Sequence, residues 1–117
     1  QPVRWALDFM VEKFYLPISS ADVVKFSRVS HSHLYALFRS ALGSTPMAYL
    51  CQHRLRHAQE LLRHTNLPIK AICAQTGIED PSYFSRLFRQ RLGISPRQYR
   101  AESHRPSSPY QNRQNQH

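Results

Sequence analysis

Two stretches of this chain match each other at an offset of fifty residues, and they decide its fold. They read SHLYALFRSALGSTPMAYL at residues 32–50 and SYFSRLFRQRLGISPRQYR at residues 82–100. The matched positions are Leu34 and Phe84, Leu37 and Leu87, Phe38 and Phe88, Arg39 and Arg89, Leu42 and Leu92, Gly43 and Gly93, Pro46 and Pro96, and Tyr49 and Tyr99. Upstream the offset is forty-nine, as in Val23 and Ile72, so the second copy has one extra residue in its turn. Each copy is predicted to be a short helix, a tight turn and a second helix, which is a helix-turn-helix.

Helical spacing of apolar residues extends over almost the whole chain. Apolar side chains recur at intervals of three and four, and no alternating pattern typical of a strand is present. Caps and breakers divide the pattern into about seven helices, which predicts an all-α fold with two tandem helix-turn-helix subdomains joined by a long helix. The predicted helices are roughly Val3 to Tyr15, Ser19 or Ser20 to Phe26, His31 to Leu42, Pro46 to Thr65 or Asn66, Pro68 to Gly77, Pro81 to Leu92, and one that starts at Ser95 and Pro96.

Domain divisions follow from the repeat and from the composition of the C-terminus. The predicted parts are an N-terminal subdomain at 1–44, a linker helix at 45–66, a C-terminal subdomain at 67–102 and a tail at 103–117. The tail has almost no apolar residues, which predicts disorder.

A linker helix of about 19 residues would be ~28 Å long. Successive major-groove faces of B-DNA lie ~34 Å apart, so such a helix could hold two recognition helices in adjacent grooves.

The second helix of each repeat, at residues 31–42 and 81–92, has two different faces. The predicted core stripes are Leu34, Leu37, Phe38 and Leu42 in the first helix, and Phe84, Leu87, Phe88 and Leu92 in the second. The opposite faces carry Ser32, Tyr35, Ala36 and Arg39, and Ser82, Ser85, Arg86 and Arg89. One such helix is equally well explained as an amphipathic helix with a hydrated face. Two with matched faces and caps favour recognition helices, because small polar and arginine side chains fit the major groove.

The chain is strongly basic. It has 16 Lys and Arg against 7 Asp and Glu, a formal net charge of +9. This charge favours nucleic acid or an anionic membrane as partner, with a solvated basic surface as the alternative.

Cys51 and Cys73 both fall in helical patterns and are interpreted as buried thiols in a reducing cytosol. No apolar run approaches the ~18 residues of a membrane span. There is no signal-peptide pattern and no initiator Met, so we expect a fragment of a longer cytoplasmic protein.

The sequence contains no pattern typical of an enzyme or a cofactor site. A Gly-rich phosphate loop and a nucleophile–base constellation are both missing, so neither catalysis nor a cofactor is predicted. His53 and His57 stand at i and i+4, a spacing that suits a shared metal ligand. No cysteine or carboxylate completes an obvious site with them, so we interpret them as part of a hydrated basic helix face and predict no metal.

The run from Ala58 to Arg100 resembles the signature of the AraC/XylS family of bacterial transcription regulators. The matching residues are Ala58, Leu61, Leu62, Pro68, Ile69, Ile72, Gly77, Ile78, Tyr83, Phe84, Arg86, Phe88, Gly93, Ser95, Pro96, Tyr99 and Arg100. The wider resemblance covers roughly Val3 to Arg100. It implies two helix-turn-helix subdomains joined by a long helix that bind asymmetric, directly repeated DNA sites.

The resemblance also implies roles for individual residues. The base-reading positions fall on Ser32, Tyr35 and Ala36 in the first unit, and on Pro81, Ser82, Ser85 and Arg86 in the second. Arg39 and Arg89 match positions close to the DNA backbone. Arg28 stands at a turn position that is often Gly, which would bring it near phosphate. Ala36 cannot donate a hydrogen bond, so the first helix is expected to read a thymine methyl or to rely on Tyr35 and His31; His31 is grouped with the phosphate contacts.

Residue chemistry adds further expectations about the arginines and the helix starts. Arg86 is the preferred base reader, because a bidentate Arg–guanine pair is the commonest specific contact. Thr45 and Ser95 precede helix N-termini, whose free N–H groups and dipole suit phosphate. Asp80 is interpreted as a helix cap. Arg54 or Arg56 is expected to form a structural ion pair with Glu60 or Asp8.

The predicted partner is double-stranded promoter DNA in the bacterial cytoplasm, with nucleoid association when bound. Family resemblance further implies activation, contact with RNA polymerase, and a separate upstream domain for effector binding and dimerisation. Two alternatives stay open: a stand-alone monomeric regulator of the same family, and a basic helical domain that binds RNA or membrane without sequence preference. The second lacks an aromatic stacking platform or a broad apolar stripe.

Overall fold

The computed structural model of this chain describes residues 1–104 and is helical over most of that length. Its helices, numbered in chain order, are α1 Pro2–Lys13, α2 Ser20–Ser27, α3 His31–Leu42, α4 Pro46–His64, α5 Ile69–Thr76, α6 Pro81–Leu92 and α7 Pro96–Ser103. No strand occurs among these residues, and the predicted all-α fold is confirmed. None of the helices in the described part is both long and apolar enough to cross a bilayer.

The chain divides into two compact units, which we call unit 1 and unit 2. Unit 1 is Gln1–Arg56, and unit 2 begins at His57. Helix α4, which the sequence predicts as a linker, therefore contributes residues to both units. Each unit contains one of the two predicted helix-turn-helix repeats, α2–α3 in unit 1 and α5–α6 in unit 2.

The core of unit 1 fixes which face of α3 points outward. Its buried residues are Val3, Ala6 and Met10 from α1, Val23 from α2, Leu34 and Phe38 from α3, and Leu50 from α4. Burying a large apolar side chain stabilises a fold by about 1.5–3 kcal/mol, so Leu34 and Phe38 hold α3 in one rotation about its axis. Leu42 was predicted to join this stripe, and that prediction is wrong. It lies in the last turn, where the core ends, and is 44% exposed.

Unit 2 is built around an equivalent apolar core. The buried residues include Leu62 from α4, Ile72 and Cys73 from α5, Phe84, Leu87 and Phe88 from α6, and Tyr99 from α7. The predicted burial of Cys73 is confirmed, and that burial raises the pKa of its thiol. Cys51 in unit 1 is only half-buried, contrary to prediction, whereas Leu50 and Leu55 on the same helix are buried.

The fifty-residue repeat is reproduced in the packing of each unit. The rings of Phe38 and Tyr49 meet edge to face with centroids 5.9 Å apart in unit 1, and those of Phe88 and Tyr99 do so at 5.5 Å in unit 2. Helices α3 and α6 both end on a glycine in the left-handed region, with φ of 74° and 85°. In both cases the glycine N–H donates to the carbonyl of the arginine four residues earlier at 2.8 Å. The repeat predicted from the sequence is therefore a repeat of structure.

The first helix of each repeat ends in the same way in both units. Ser27 Oγ donates to the Val24 carbonyl at 2.6 Å, and Thr76 Oγ1 donates to the Cys73 carbonyl at 3.1 Å. Arg28 and Gly77 follow, both in the left-handed region, with φ of 66° and 83°. Unit 1 thus has an arginine in a backbone conformation that is strained for any residue with a Cβ atom, and this strain lowers the stability of the fold by roughly 1–2 kcal/mol.

Helix α2 begins with a reciprocal cap. Asp22 N–H donates to Ser19 Oγ at 3.1 Å, and Ser19 N–H donates to Asp22 Oδ2 at 2.9 Å. Hydrogen bonds from the backbone and side chain of Ser19, with the nearby charge of Lys25, hold the pKa of Asp22 below its usual value. The predicted cap of α2 at Ser19 or Ser20 is confirmed, and Ser19 is the capping residue.

Arg54 has the structural role that was expected, but its partners are backbone carbonyls. Its Nε donates to the Phe14 carbonyl and its Nη2 to the Leu16 carbonyl, both at 2.8 Å. Burial lowers the pKa of its guanidinium below the ordinary value. The expected ion pair with Glu60 or Asp8 is wrong: Glu60 pairs along its own helix with Arg63, and its other carboxylate oxygen lies 3.3 Å from His64 Nε2.

The ends of the described region differ from the predicted boundaries. Helix α1 ends at Lys13, two residues before the predicted Tyr15. Ser103, predicted as the start of the tail, is the buried last residue of α7. The rest of the predicted tail, from residue 105, lies outside the described residues.

Candidate nucleic-acid interface

Helix α3 presents its predicted recognition face to the surface of unit 1. Ser30 caps the helix by accepting the His33 N–H at 3.2 Å. With the core stripe turned inward, Ser32, Ala36 and Arg39 are exposed and Tyr35 is half-buried. The structure therefore brings the predicted residues of the first unit together on one face, as their spacing requires.

A ring pair stands at the N-terminal end of this face. His31 and Tyr35 are stacked, with centroids 4.0 Å apart and an angle of 17° between the ring planes. They are one helical turn apart, which is the spacing at which side chains on a helix meet. The stack uses the flat faces of both rings, so the imidazole nitrogens and the phenol hydroxyl remain at the edges.

Helix α6 presents the matching face in unit 2. The expected cap is confirmed, because Asp80 Oδ1 accepts the Ser82 N–H at 3.0 Å. Pro81, Ser82, Arg86 and Arg89 are exposed, and Ser85 is half-buried. Tyr83 was not predicted for the site, yet half of its surface is exposed on the same helix. Its counterpart His33, fifty residues earlier, is also exposed, and both residues lie at the side of the recognition faces with no contact assigned to them.

The two recognition faces are positive, and their arginines are not neutralised. Neither α3 nor α6 contains an acidic residue. Arg39, Arg86 and Arg89 are exposed and form no ion pair with any residue in the range 1–104. Their guanidinium donors are therefore available for phosphate or base edges.

Arg28 is held above the surface of α1. Its guanidinium carbon lies 4.7 Å from the centroid of the Trp5 ring. The rings of Phe9 and Phe26 also stack, with centroids 4.1 Å apart. Two aromatic side chains of α1 therefore contact the C-terminal end of α2. Arg28 is exposed and forms no ion pair within residues 1–104, which is compatible with the predicted phosphate contact.

Thr45 and Ser95 cap the helices that follow the recognition helices. Thr45 Oγ1 accepts the Ala48 N–H at 3.2 Å, and Ser95 Oγ accepts the Gln98 N–H at 3.1 Å. Each hydroxyl keeps its own hydrogen to donate, and the first-turn N–H groups beside it have no partner within the helix. The arrangement is suitable for a phosphate oxygen at each helix start.

Known proteins with similar sequences are transcription regulators. A family model described as a helix-turn-helix domain matches residues 23–102. The chain is 38% identical over 100 residues to the lactose operon transcription activator of Staphylococcus xylosus, covering 86% of this chain and 36% of that protein. It is 45% identical over 99 residues to the uncharacterized HTH-type transcriptional regulator YisR of Bacillus subtilis, covering 84% of this chain and 34% of that protein. The chain thus spans about a third of the length of these two relatives.

Solved structures agree with the sequence matches. The DNA-binding domain of AdpA, a global transcriptional factor solved in complex with a target DNA, superposes with a TM-score of 0.84 at 26% identity. The match covers 92% of this chain and 98% of that one. A transcriptional regulator with an AraC-type DNA-binding domain from Chromobacterium violaceum superposes with a TM-score of 0.80 at 30% identity, covering 91% of this chain and 95% of that one.

Proposed function

Since the chain belongs to the AraC/XylS family of DNA-binding transcription regulators, which are not enzymes, we propose that it is the sequence-specific DNA-binding domain of a transcription activator. The observation that carries this proposal is the pair of matched, exposed and acid-free faces on α3 and α6. Both helices pack their opposite side against a core that contains buried phenylalanines, and both end at a glycine in the left-handed region. In this proposal each unit inserts one recognition helix into a major groove of the same duplex.

Base reading is assigned to the exposed faces of the two recognition helices. The proposed base contacts are Ser32, Tyr35 and Ala36 on α3, and Pro81, Ser82, Ser85 and Arg86 on α6. Arg86 has the strongest physical case, because it is exposed, unpaired within residues 1–104 and able to bond the O6 and N7 atoms of guanine with two N–H donors. Ala36 offers only a methyl group, which suits the thymine methyl.

Phosphate contacts are assigned to residues around the rims of these faces. They are Arg28, His31, Arg39 and Thr45 in unit 1, and Arg89 and Ser95 in unit 2. The arginines supply charge, whereas the two capped helix starts supply N–H groups and hydroxyl donors. These contacts would fix the register of each recognition helix without selecting bases.

Activation and partners are proposed from the relatives. We propose that the domain works with a separate effector-binding and dimerising domain and that, once on a promoter, it contacts RNA polymerase. The support is that the matched segment makes up only 36% and 34% of two related regulators, one of them named a transcription activator. Transcription in vitro from a promoter that carries the selected site, with and without this domain, tests activation directly.

The decisive experiment is selection of bound sequences from a random duplex pool at near-physiological salt. Two short motifs about one helical turn apart, in direct orientation, would support two recognition helices on one duplex. A single motif would mean that only one unit reads sequence. No enrichment, with equal retention of duplex DNA, single strands and anionic liposomes, would favour the non-specific polyanion binder instead.

A further inference from the structure

We propose that His31 and Tyr35 act as one composite base reader, in which His31 is a positioning residue that holds the Tyr35 phenol in the orientation needed to read a base edge. This inference rests on the proposed function and deepens it. It gives His31 a role in specificity, in addition to any phosphate contact made by the edge of its ring.

The first step is the geometry of the stack. The rings lie face to face, 4.0 Å apart and within 17° of parallel. His31 is the first residue of α3, and the helix starts beside it with two hydrogen bonds to Ser30: the His33 N–H donates to Ser30 Oγ at 3.2 Å and the Leu34 N–H donates to the Ser30 carbonyl at 2.9 Å. The imidazole therefore projects from an ordered helix start.

The second step is that Tyr35 is half-buried, so part of its ring is exposed, and the ring contact it makes within residues 1–104 is the one with His31. A partly exposed side chain that moves between rotamers loses that freedom when it binds. Because the stack restricts the phenol before DNA arrives, less freedom is lost when Tyr35 reads its preferred base.

The third step is that stacking leaves the reading groups accessible. Only the ring faces are used, so the phenol O–H can still donate to or accept from a base edge. The counterparts of His31 and Tyr35 in unit 2, fifty residues later, are Pro81 and Ser85, which cannot stack. The composite reader is therefore a property of unit 1 alone, and unit 2 provides an internal reference.

The test is a comparison of the base preferences of four proteins: the wild-type chain and the variants His31→Ala, His31→Phe and His33→Ala. His31→Phe keeps an aromatic ring for the stack but removes the N–H groups, whereas His31→Ala removes both. His33→Ala is the matched control, because His33 is an exposed histidine two residues along the same helix. Each variant is first checked for an unchanged helical circular dichroism spectrum and is then used in the duplex selection.

We expect His31→Ala to reduce the preference at the unit 1 position by about 2- to 12-fold, the factor that corresponds to ordering one side chain. His31→Phe should keep that preference even if its affinity falls for all sequences, and His33→Ala should match the wild type. Preferences at positions read by unit 2 should not change in any variant. In the free domain, the Tyr35 ring protons should shift in NMR spectra of His31→Ala but stay close to their wild-type position in His31→Phe.

Three results would overturn the inference. If the wild type selects a motif and His31→Ala selects the same motif with equal preference, His31 is at most a phosphate contact, and the proposed function stands without it. If the Tyr35 signals are unchanged in His31→Ala, the stack is absent in solution. If the wild type selects no motif, the proposed function fails and the inference fails with it.

Discussion

Arg86 and Arg89 are both exposed on α6 and differ by only three positions, yet we assign them different contacts. Arg86 lies in the middle of the recognition face, whereas Arg89 lies in the last turn, beside the Gly93 cap. We expect Arg86→Ala to cost ~1–3 kcal/mol on the preferred site and to relax the preference at one base pair. Arg89→Ala should weaken binding to all sequences by a similar factor.

Titration of both variants on the selected site, on its single-base variants and on random duplex DNA checks this prediction. Arg91→Ala is a suitable control, because Arg91 is an exposed arginine on the same helix. Equal losses on specific and random DNA for Arg86→Ala would exclude Arg86 as a base reader.

Arg28 combines a strained backbone with a favourable side-chain contact. Its left-handed conformation costs roughly 1–2 kcal/mol, and its contact with Trp5 returns about 0.5–1 kcal/mol at an exposed site. Arg28→Gly removes the strain and the contact together, whereas Arg28→Ala removes only the contact. We therefore expect the glycine variant to be about 1 kcal/mol more stable than the alanine variant in urea unfolding.

The same two variants test whether Arg28 contacts DNA. If it binds phosphate, both should lose affinity for all duplexes to a similar extent, regardless of their difference in stability. Unchanged affinity in both variants would leave Arg28 with a structural role only.

At the scale of elements, Arg100 fastens α7 to the end of α4 through three backbone carbonyls. Arg100 donates to the carbonyls of Leu62 at 3.2 Å, Thr65 at 3.1 Å and Leu67 at 2.6 Å. It thereby satisfies carbonyls at the end of α4 and in the loop that leads to α5, the first helix of the second repeat. The position of α5 thus depends on a residue in the last helix.

We expect Arg100→Met to destabilise the protein by at least ~2 kcal/mol, because three carbonyls lose a charged donor at once. Arg100→Lys should recover only part of the loss, since one ammonium group cannot reproduce the planar fork of a guanidinium. Arg97→Met, an exposed change on the same helix, should stay within about 0.5 kcal/mol of the wild type. Urea unfolding measures all three, and a loss for Arg100→Met no larger than that for Arg97→Met would contradict the prediction.

At the scale of the whole molecule, the net charge of +9 predicts strong salt dependence. The logarithm of the association constant should fall linearly with the logarithm of salt concentration, by about 0.9 for each phosphate that is neutralised. Arg28, Arg39 and Arg89 are the charged members of the proposed phosphate set. Arg39→Ala should therefore reduce the magnitude of the slope by about 0.9, and Ser40→Ala, an exposed neighbour, should leave it unchanged. A slope that does not change in Arg39→Ala would remove that residue from the set.

Local signals made the helices and the repeat predictable from the sequence. Ser30 and Asp80 cap α3 and α6 as expected, and Gly43 and Gly93 end them, because caps and terminators act over three or four residues. The apolar spacing also identified the buried faces, although Leu37 and Leu92 are only half-buried and Leu42, at the margin of the core, is exposed.

The sequence by itself determined that this chain is a tandem pair of helix-turn-helix units with two basic outward faces, because periodicity and caps are properties of neighbouring residues. Only the tertiary structure decided what the individual cations do. Arg54 and Arg100 bind carbonyls 33 to 40 residues away in the chain, and Arg28 lies on Trp5 of another helix. A guanidinium can pair with an acid, a carbonyl, a ring or a phosphate, and the sequence does not state which of these the folded chain brings within reach. That choice depends on distances between elements, which exist only after the helices have packed.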